Sequence, residues 1–189
     1  MRWAIPILCV GFVAWMAVPK TGEAAFQRVP VGGGKMPQWT MPDLEGRPVS
    51  SKQYEGKVLL LNFWATWCPP CVREIPDLNQ FYQDHAAEGF VIVGASVEST
   101  EGKTVAEFVR RRKIAYPVLL ADDSVQGLFG ALPSNPMMPG GLPLPTTYVV
   151  ARDGRYIAHY LGALNRAELD RVILPLLRAA ASTNAVQGR

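Results

Sequence analysis

The chain has 189 residues, 49% of them hydrophobic and 19% charged, with a formal net charge of +3. This is enough apolar material for one globular domain with a proper core, and nothing calls for two. A positive balance so small and dispersed gives no argument for nucleic acid as a partner, and the basic run RRRK at 110–113 reads as cations on the last turn of a helix.

The opening, MRWAIPILCVGFVAWMAVPK, has Arg2 in front, an apolar run over 3–18 and Lys20 behind. It reads as an export segment. A membrane span wants about 20 apolar residues and a signal-peptide core roughly 7–15, so the run falls between the two. Gly22-Glu23-Ala24 offers small residues at a usable cleavage spacing, but the expectation is an anchor or anchor-like signal over 1–20. Cys9 follows Leu8, where lipid modification would want a small residue, so it is a membrane-embedded bystander. Residues 21–36, polar and small with consecutive glycines, are expected to be a flexible tether.

A single domain is expected over 37–178, followed by a disordered tail over 179–189. WTMPDLEGRPVS predicts two short strands around a Glu45-Gly46 turn, and KVLLLNFWA predicts a strand buried on both faces. EIPDLNQFYQDHAAEG has helical spacing at Ile75, Leu78 and Tyr82 and ends at Gly89. FVIVGASV is a second buried strand, KTVAEFVRRRK a helix, AYPVLLA a strand and SVQGLFG a short helix. PTTYVVARDGRYIAHYL reads as a hairpin turning at Asp153-Gly154, and NRAELDRVILPLLRAA as a closing helix capped by Asn165. The order predicts an α/β domain with a mixed central sheet, helices on both faces and an N-terminal β-hairpin extension.

Cys68 and Cys71, separated by Pro69 and Pro70, lie where a buried strand meets a helix. A structural disulfide, half of a zinc site or a redox pair would each account for two cysteines so spaced. Zinc needs four ligands, and the remaining candidates, His85 and His159, read as surface or packing histidines. A disulfide closing so small a loop restricts the unfolded chain little. The redox reading uses the geometry: a cysteine at a helix N-terminus meets free backbone N–H groups and the positive end of the dipole, which favour thiolate. Pro69 and Pro70 in the first turn break no intrahelical bond and stiffen the loop between the sulfurs. Outside the cytoplasm, where disulfides persist, a lone dithiol fits an oxidation or reduction role.

NFWATWCPPC, then Pro76 inside the helix, then LPTTYVVARDG, resembles the thioredoxin-like thiol:disulfide oxidoreductases, closest to the membrane-tethered extracytoplasmic TlpA/ResA type. The resemblance covers roughly 37–177 and implies a thioredoxin-like fold. It implies that Cys68 attacks or is attacked by the partner, that Cys71 resolves the mixed disulfide, and that Pro145 supplies a cis-proline loop opposite the pair. Trp67, Pro69, Pro70, Leu144, Pro145 and Thr146 are the expected substrate-binding residues. Trp64 and Trp67 flank the pair and offer it a shield from water. Where cytosolic thioredoxins carry a buried aspartate, this chain has Asn62, which cannot exchange a proton at useful pH. Glu74, three residues beyond Cys71 on the same helix face and similarly placed in ResA-type proteins, is assigned as the group assisting deprotonation of Cys71. The alternative for Glu74 is a solvent carboxylate paired with an arginine. Pro76 should kink its helix.

The stretch ALPSNPMMPGGLPLP, 131–145, offers either a stiff apolar loop edge that contacts a protein substrate or a tolerated surface loop. Met137 and Met138 are soft copper donors, but no histidine or cysteine accompanies them. A peroxiredoxin would carry threonine where Ala65 stands, and a disulfide-forming oxidase would carry a helical insertion for which the chain lacks length. The expected function is therefore reduction of disulfides in exported proteins at the extracytoplasmic face of the inner membrane, fed by a membrane dithiol donor. Apocytochrome c is the leading substrate; a copper-site assembly role, as reductase or metallochaperone, is the alternative. No cofactor beyond the dithiol, no metal and no nucleic acid are expected.

Overall fold

The computed structural model describes residues 27–29, 34–132 and 142–187. The apolar opening and Met137 and Met138 lie outside them; among the described residues no helix is long and apolar enough to cross a membrane.

Among the described residues, eight strands and four α-helices follow one another as β1 (Gln27–Val29), β2 (Thr40–Pro42), β3 (Pro48–Ser50), β4 (Val58–Trp64), α1 (Pro69–His85), β5 (Phe90–Ser96), α2 (Gly102–Arg112), β6 (Val118–Leu120), α3 (Asp123–Gly130), β7 (Thr146–Val150), β8 (Tyr156–Leu161) and α4 (Arg166–Gln187). Six strands form one sheet in the order β1-β8-β7-β4-β5-β6. β4, β5 and β6 run parallel, while β7, β8 and β1 add antiparallel. The β2–β3 hairpin forms its own small sheet and touches the main one through a bridge between Asp43 and Leu119.

The period-2 geometry of the central strands sorts their apolar side chains into two cores. Val58, Leu60 and Trp64 of β4 join α1, α2 and α4 on one face, whereas Leu59, Leu61 and Phe63 join α3 and the hairpin on the other. Both faces are dry, which is why β4 and β5 are apolar throughout except where polarity is needed. This is the thioredoxin-like fold, with the N-terminal hairpin as an extension.

Local signals place most elements. Gly89, in the left-handed region at φ 78°, ends the short 3-10 turn that follows α1. Asp122 caps α3 by accepting from the Val125 N–H. Asn165 and Glu168 form a reciprocal capping box at α4: Asn165 Oδ1 accepts from the Glu168 N–H at 3.0 Å, and Glu168 accepts from the Asn165 N–H at 2.8 Å.

Two segments depart from expectation. Within 21–36, Gln27–Val29 pairs with β8, and Gly34 and Met36 hydrogen-bond to the β7–β8 turn through Tyr156 N–H to Gly34 O and Met36 N–H to Gly154 O. The sheet therefore extends upstream of the boundary placed at Pro37, because an open β8 edge offers hydrogen bonds that composition does not reveal. At the other end, α4 runs to Gln187, past the boundary placed at 178.

Candidate active site

β4 ends at Trp64, and a turn closed by Cys68 N–H to Ala65 O brings the chain to the first residue of α1. Cys68 is the N-cap of that helix, with Pro69 and Pro70 in its first turn. Cys68 and Cys71 are joined in a disulfide, and Cys68 Sγ accepts from the Cys71 N–H at 3.4 Å. The sulfur thus occupies the position where a hydroxyl or carboxylate ordinarily caps a helix, and a thiolate there would receive the same donor and the dipole.

The two cysteines face different surroundings. Both are buried in the helix-side core, but Cys68, 4% exposed, lines a groove of about 480 Å³ with Trp67, Pro69, Pro70, Val97, Gln126, Leu142 and Leu144, whereas Cys71, 1% exposed, does not reach it. Trp67 stands out at 66% exposure. It forms a projecting wall of the groove rather than a shield over the disulfide; Trp64 is buried beneath, tilted against Phe108.

The Leu144–Pro145 bond is cis, and Leu144 meets the dithiol across the groove. Pro145 and Thr146 are buried. The Thr146 hydroxyl donates to Pro143 O at 2.5 Å, so its side chain ties down the proline loop. Of the residues expected to bind substrate, Pro145 and Thr146 are buried and do not line the groove, Thr146 because it begins the central strand β7.

Beneath the disulfide lies a polar cluster inside an apolar core. Glu74 is 3% exposed, which removes the solvent ion-pair alternative. Its carboxylate accepts from Asn62 Nδ2 at 2.9 Å and from the Leu164 N–H at 2.8 Å, while Asn62 also donates to Thr147 Oγ1 at 3.0 Å. Burial pushes the Glu74 carboxyl up from 4.5 to about 8, although the Leu164 and Asn62 donors pull the other way. Tyr116 packs nearby: burial, with the charge of Glu74 behind it, holds its phenol above the usual range. Gly94, paired with Asn62 across β4 and β5, makes this crowding feasible, since a Cβ there would lie 3.0 Å from both Trp64 Nε1 and Tyr116 Cε2.

In front of the dithiol, Glu98 holds the loop. Its carboxylate accepts from the Thr66 N–H at 2.6 Å and the Thr66 hydroxyl at 2.7 Å, two residues before Cys68. Sequence reasoning missed Glu98, along with the groove residues Val97 and Gln126. One signal was available: in parallel sheets sites gather at the carboxyl ends of strands, and these residues follow β5 and β6. The pairing of Glu74 with Leu164, 90 positions apart, had no local signal.

Among the described residues no group of three or more His, Cys, Asp or Glu side chains is placed to hold a metal. The chemistry this arrangement can perform is thiol–disulfide exchange, with one sulfur at the groove, one behind it and a buried carboxyl one turn further along the helix.

Comparison with known proteins agrees. Residues 33–158 match the model of the AhpC/TSA family. The chain is 30% identical over 138 residues to the thiol-disulfide oxidoreductase ResA of Bacillus thuringiensis, covering 73% of this chain and 74% of that one. It is 31% identical to the crystal structure of a thiol:disulfide interchange protein of the thioredoxin family from Chlorobium tepidum, with a TM-score of 0.66, covering 78% of this chain and 97% of that one. A secreted thiol-disulfide isomerase from Corynebacterium glutamicum shares the fold at a TM-score of 0.67 and 23% identity, over 85% of this chain and 95% of that one.

Proposed function

We propose a direction and a proton path for this chain, which belongs to the AhpC/TSA family and is a thioredoxin-fold thiol–disulfide oxidoreductase related to ResA: it reduces disulfides in exported proteins at the outer face of the membrane that residues 1–20 anchor it to. Reduced Cys68, as thiolate, attacks one sulfur of a substrate disulfide. A mixed disulfide forms and the first substrate sulfur leaves as thiolate, to be protonated. Cys71 then gives its proton to the Glu74 carboxylate and attacks Cys68 Sγ. The second substrate sulfur leaves, two electrons have passed to the substrate, and Cys68–Cys71 is oxidised. A membrane dithiol restores the reduced pair by the same exchange in reverse. Apocytochrome c is the first candidate substrate, and a disulfide in a copper-site assembly factor the second.

The observation that carries this reading is the asymmetry of the pair: Cys68 lines the groove, whereas Cys71 does not and lies on α1 one turn from Glu74. Burial lifts the Glu74 carboxyl to about 8, out of the ordinary carboxylate range, which makes it a stronger proton acceptor than an exposed glutamate. Trp67, Pro69, Pro70 and Leu144 form the contact surface, with the Pro145 loop setting the edge on which a substrate chain lies.

The test is trapping. Cys71→Ala should accumulate a mixed disulfide with the physiological partner in membranes, and Cys68→Ala should accumulate almost none. Equal trapping by both variants would dissolve the assignment. A reduction potential well below the roughly −120 mV of a strong oxidase supports reduction as the direction.

A further inference from the structure

We infer that the sheet delivers the N-terminal segment to the catalytic rim of the domain, so that the Cys68 groove faces the bilayer and exchanges with a dithiol protein seated in it. The inference rests on the anchor reading of residues 1–20 proposed above and adds to it an orientation and a reach.

The orientation follows from strand register. β4 reaches the dithiol at its C-terminal end, where Phe63 pairs with Thr146. Thr146 pairs with Leu161 of β8, and Leu161 pairs with Gln27 of β1. Phe63, Thr146, Leu161 and Gln27 therefore lie along one rim of the sheet, the rim of Cys68 and of the cis-proline loop. β1 enters at this rim and runs away from it, towards Gly34 and the β7–β8 turn at the opposite end. At about 4.8 Å per strand, three strand spacings put the entry point roughly 14 Å sideways from β4.

The reach follows from chain length. Residues 30–33 add nothing to it, because the chain is held to the sheet on both sides of them, at Val29 and at Gly34. Between the last apolar residue of the opening run, Val18, and Gln27 stand only residues 19–26. Fully extended at about 3.5 Å each, they span at most roughly 30 Å. The rim nearest the membrane is thus the one with the exposed Trp67 and the sulfur-lined groove, and the opposite rim is held away by the depth of the sheet. The partner that fits is a membrane protein whose reactive cysteines lie close to the headgroups, where the short connection raises their effective concentration.

The full chain, reconstituted in phosphatidylethanolamine–phosphatidylglycerol vesicles carrying an acceptor dye on lipid headgroups, tests this. One sample carries a donor dye on Cys68 in a Cys9→Ala, Cys71→Ala background. The other carries it on Asp153→Cys, at the exposed far turn, with all three native cysteines changed to alanine. With rims roughly 20 Å apart, energy transfer should be about twofold or more stronger from Cys68. A glycine–serine insertion of about 20 residues after Gly22 should bring the two signals together. Equal or reversed transfer, in protein that still floats with the vesicles, overturns the orientation alone. Protein that does not float overturns the anchor reading, and the orientation with it.

Discussion

The two ends of the main sheet are built on opposite principles. At the far end, loops satisfy one another: the Arg152 guanidinium donates to the carbonyls of Gly56, Glu88 and Gly89, and Asp153 pairs with Arg155 across the turn. At the catalytic end an indole is left in solvent, and the polar groups that matter, Glu74 and Glu98, are pulled inside. Loops that tie each other down make a rigid base; a rim that keeps apolar surface outside and carboxylates inside makes an exchange site.

Glu74→Gln should give the largest effect of the tests that follow. Stopped-flow measurement of mixed-disulfide resolution should slow on the order of 10²-fold, the usual range for loss of a positioned proton acceptor. The same variant changes stability in a direction fixed by linkage. The folded carboxyl titrates near 8 against 4.5 in the unfolded chain, so the stability gained by keeping it protonated is complete below about 4.5 and is lost as pH rises through 8. Oxidised Glu74→Gln should lose that decline, seen as a flatter denaturation free energy between those pH values. An unchanged pH profile would make Glu74 a mere filler of space.

Trp67→Ala comes next, with roughly tenfold weaker engagement of a protein substrate, as expected for a large aromatic anchor. Its reaction with dithiothreitol and its melting temperature should stay as they are. Arg152→Ala should do the reverse: a loss of about 1–2 kcal/mol of stability for the lost hydrogen bonds to three loop carbonyls, with thiol–disulfide exchange rates unchanged. An effect of Arg152→Ala on exchange would erase the division between the two ends. Asn165→Ala, the smallest, removes one cap and about 1 kcal/mol. Because the neighbouring Leu164 N–H holds Glu74, it should also move the Glu74 titration slightly upward, readable by NMR.

What the sequence made legible is what local chemistry decides. The apolar run of β4, the Cys68 cap with its two prolines, the Asn165 cap and the X-Pro step at 145 are all written in a few adjacent residues. The partners of Glu74 were not, because Asn62 lies 12 positions away and Leu164 lies 90, and only the packing of α1 against the sheet and the segment leading into α4 bring them together. The helical spacing of Cys71 and Glu74 placed both on one face; it did not reveal that this face is dry. The clamp from Glu98 to Thr66 was hidden for the same reason, since nothing near either residue names the other. β1 was hidden by its composition, which reads as tether until an open strand edge supplies the hydrogen bonds.

β1 also bears on how the protein behaves once detached from its first residues. A form cut at Pro37 would lack β1 and uncover the outer edge of β8 from His159 to Leu161, a row of backbone donors and acceptors beside Tyr160 and Leu161. Bare edges of this kind pair with their own copies. Such a shortened form should self-associate edge to edge, whereas one beginning upstream of Gln27 should stay monomeric.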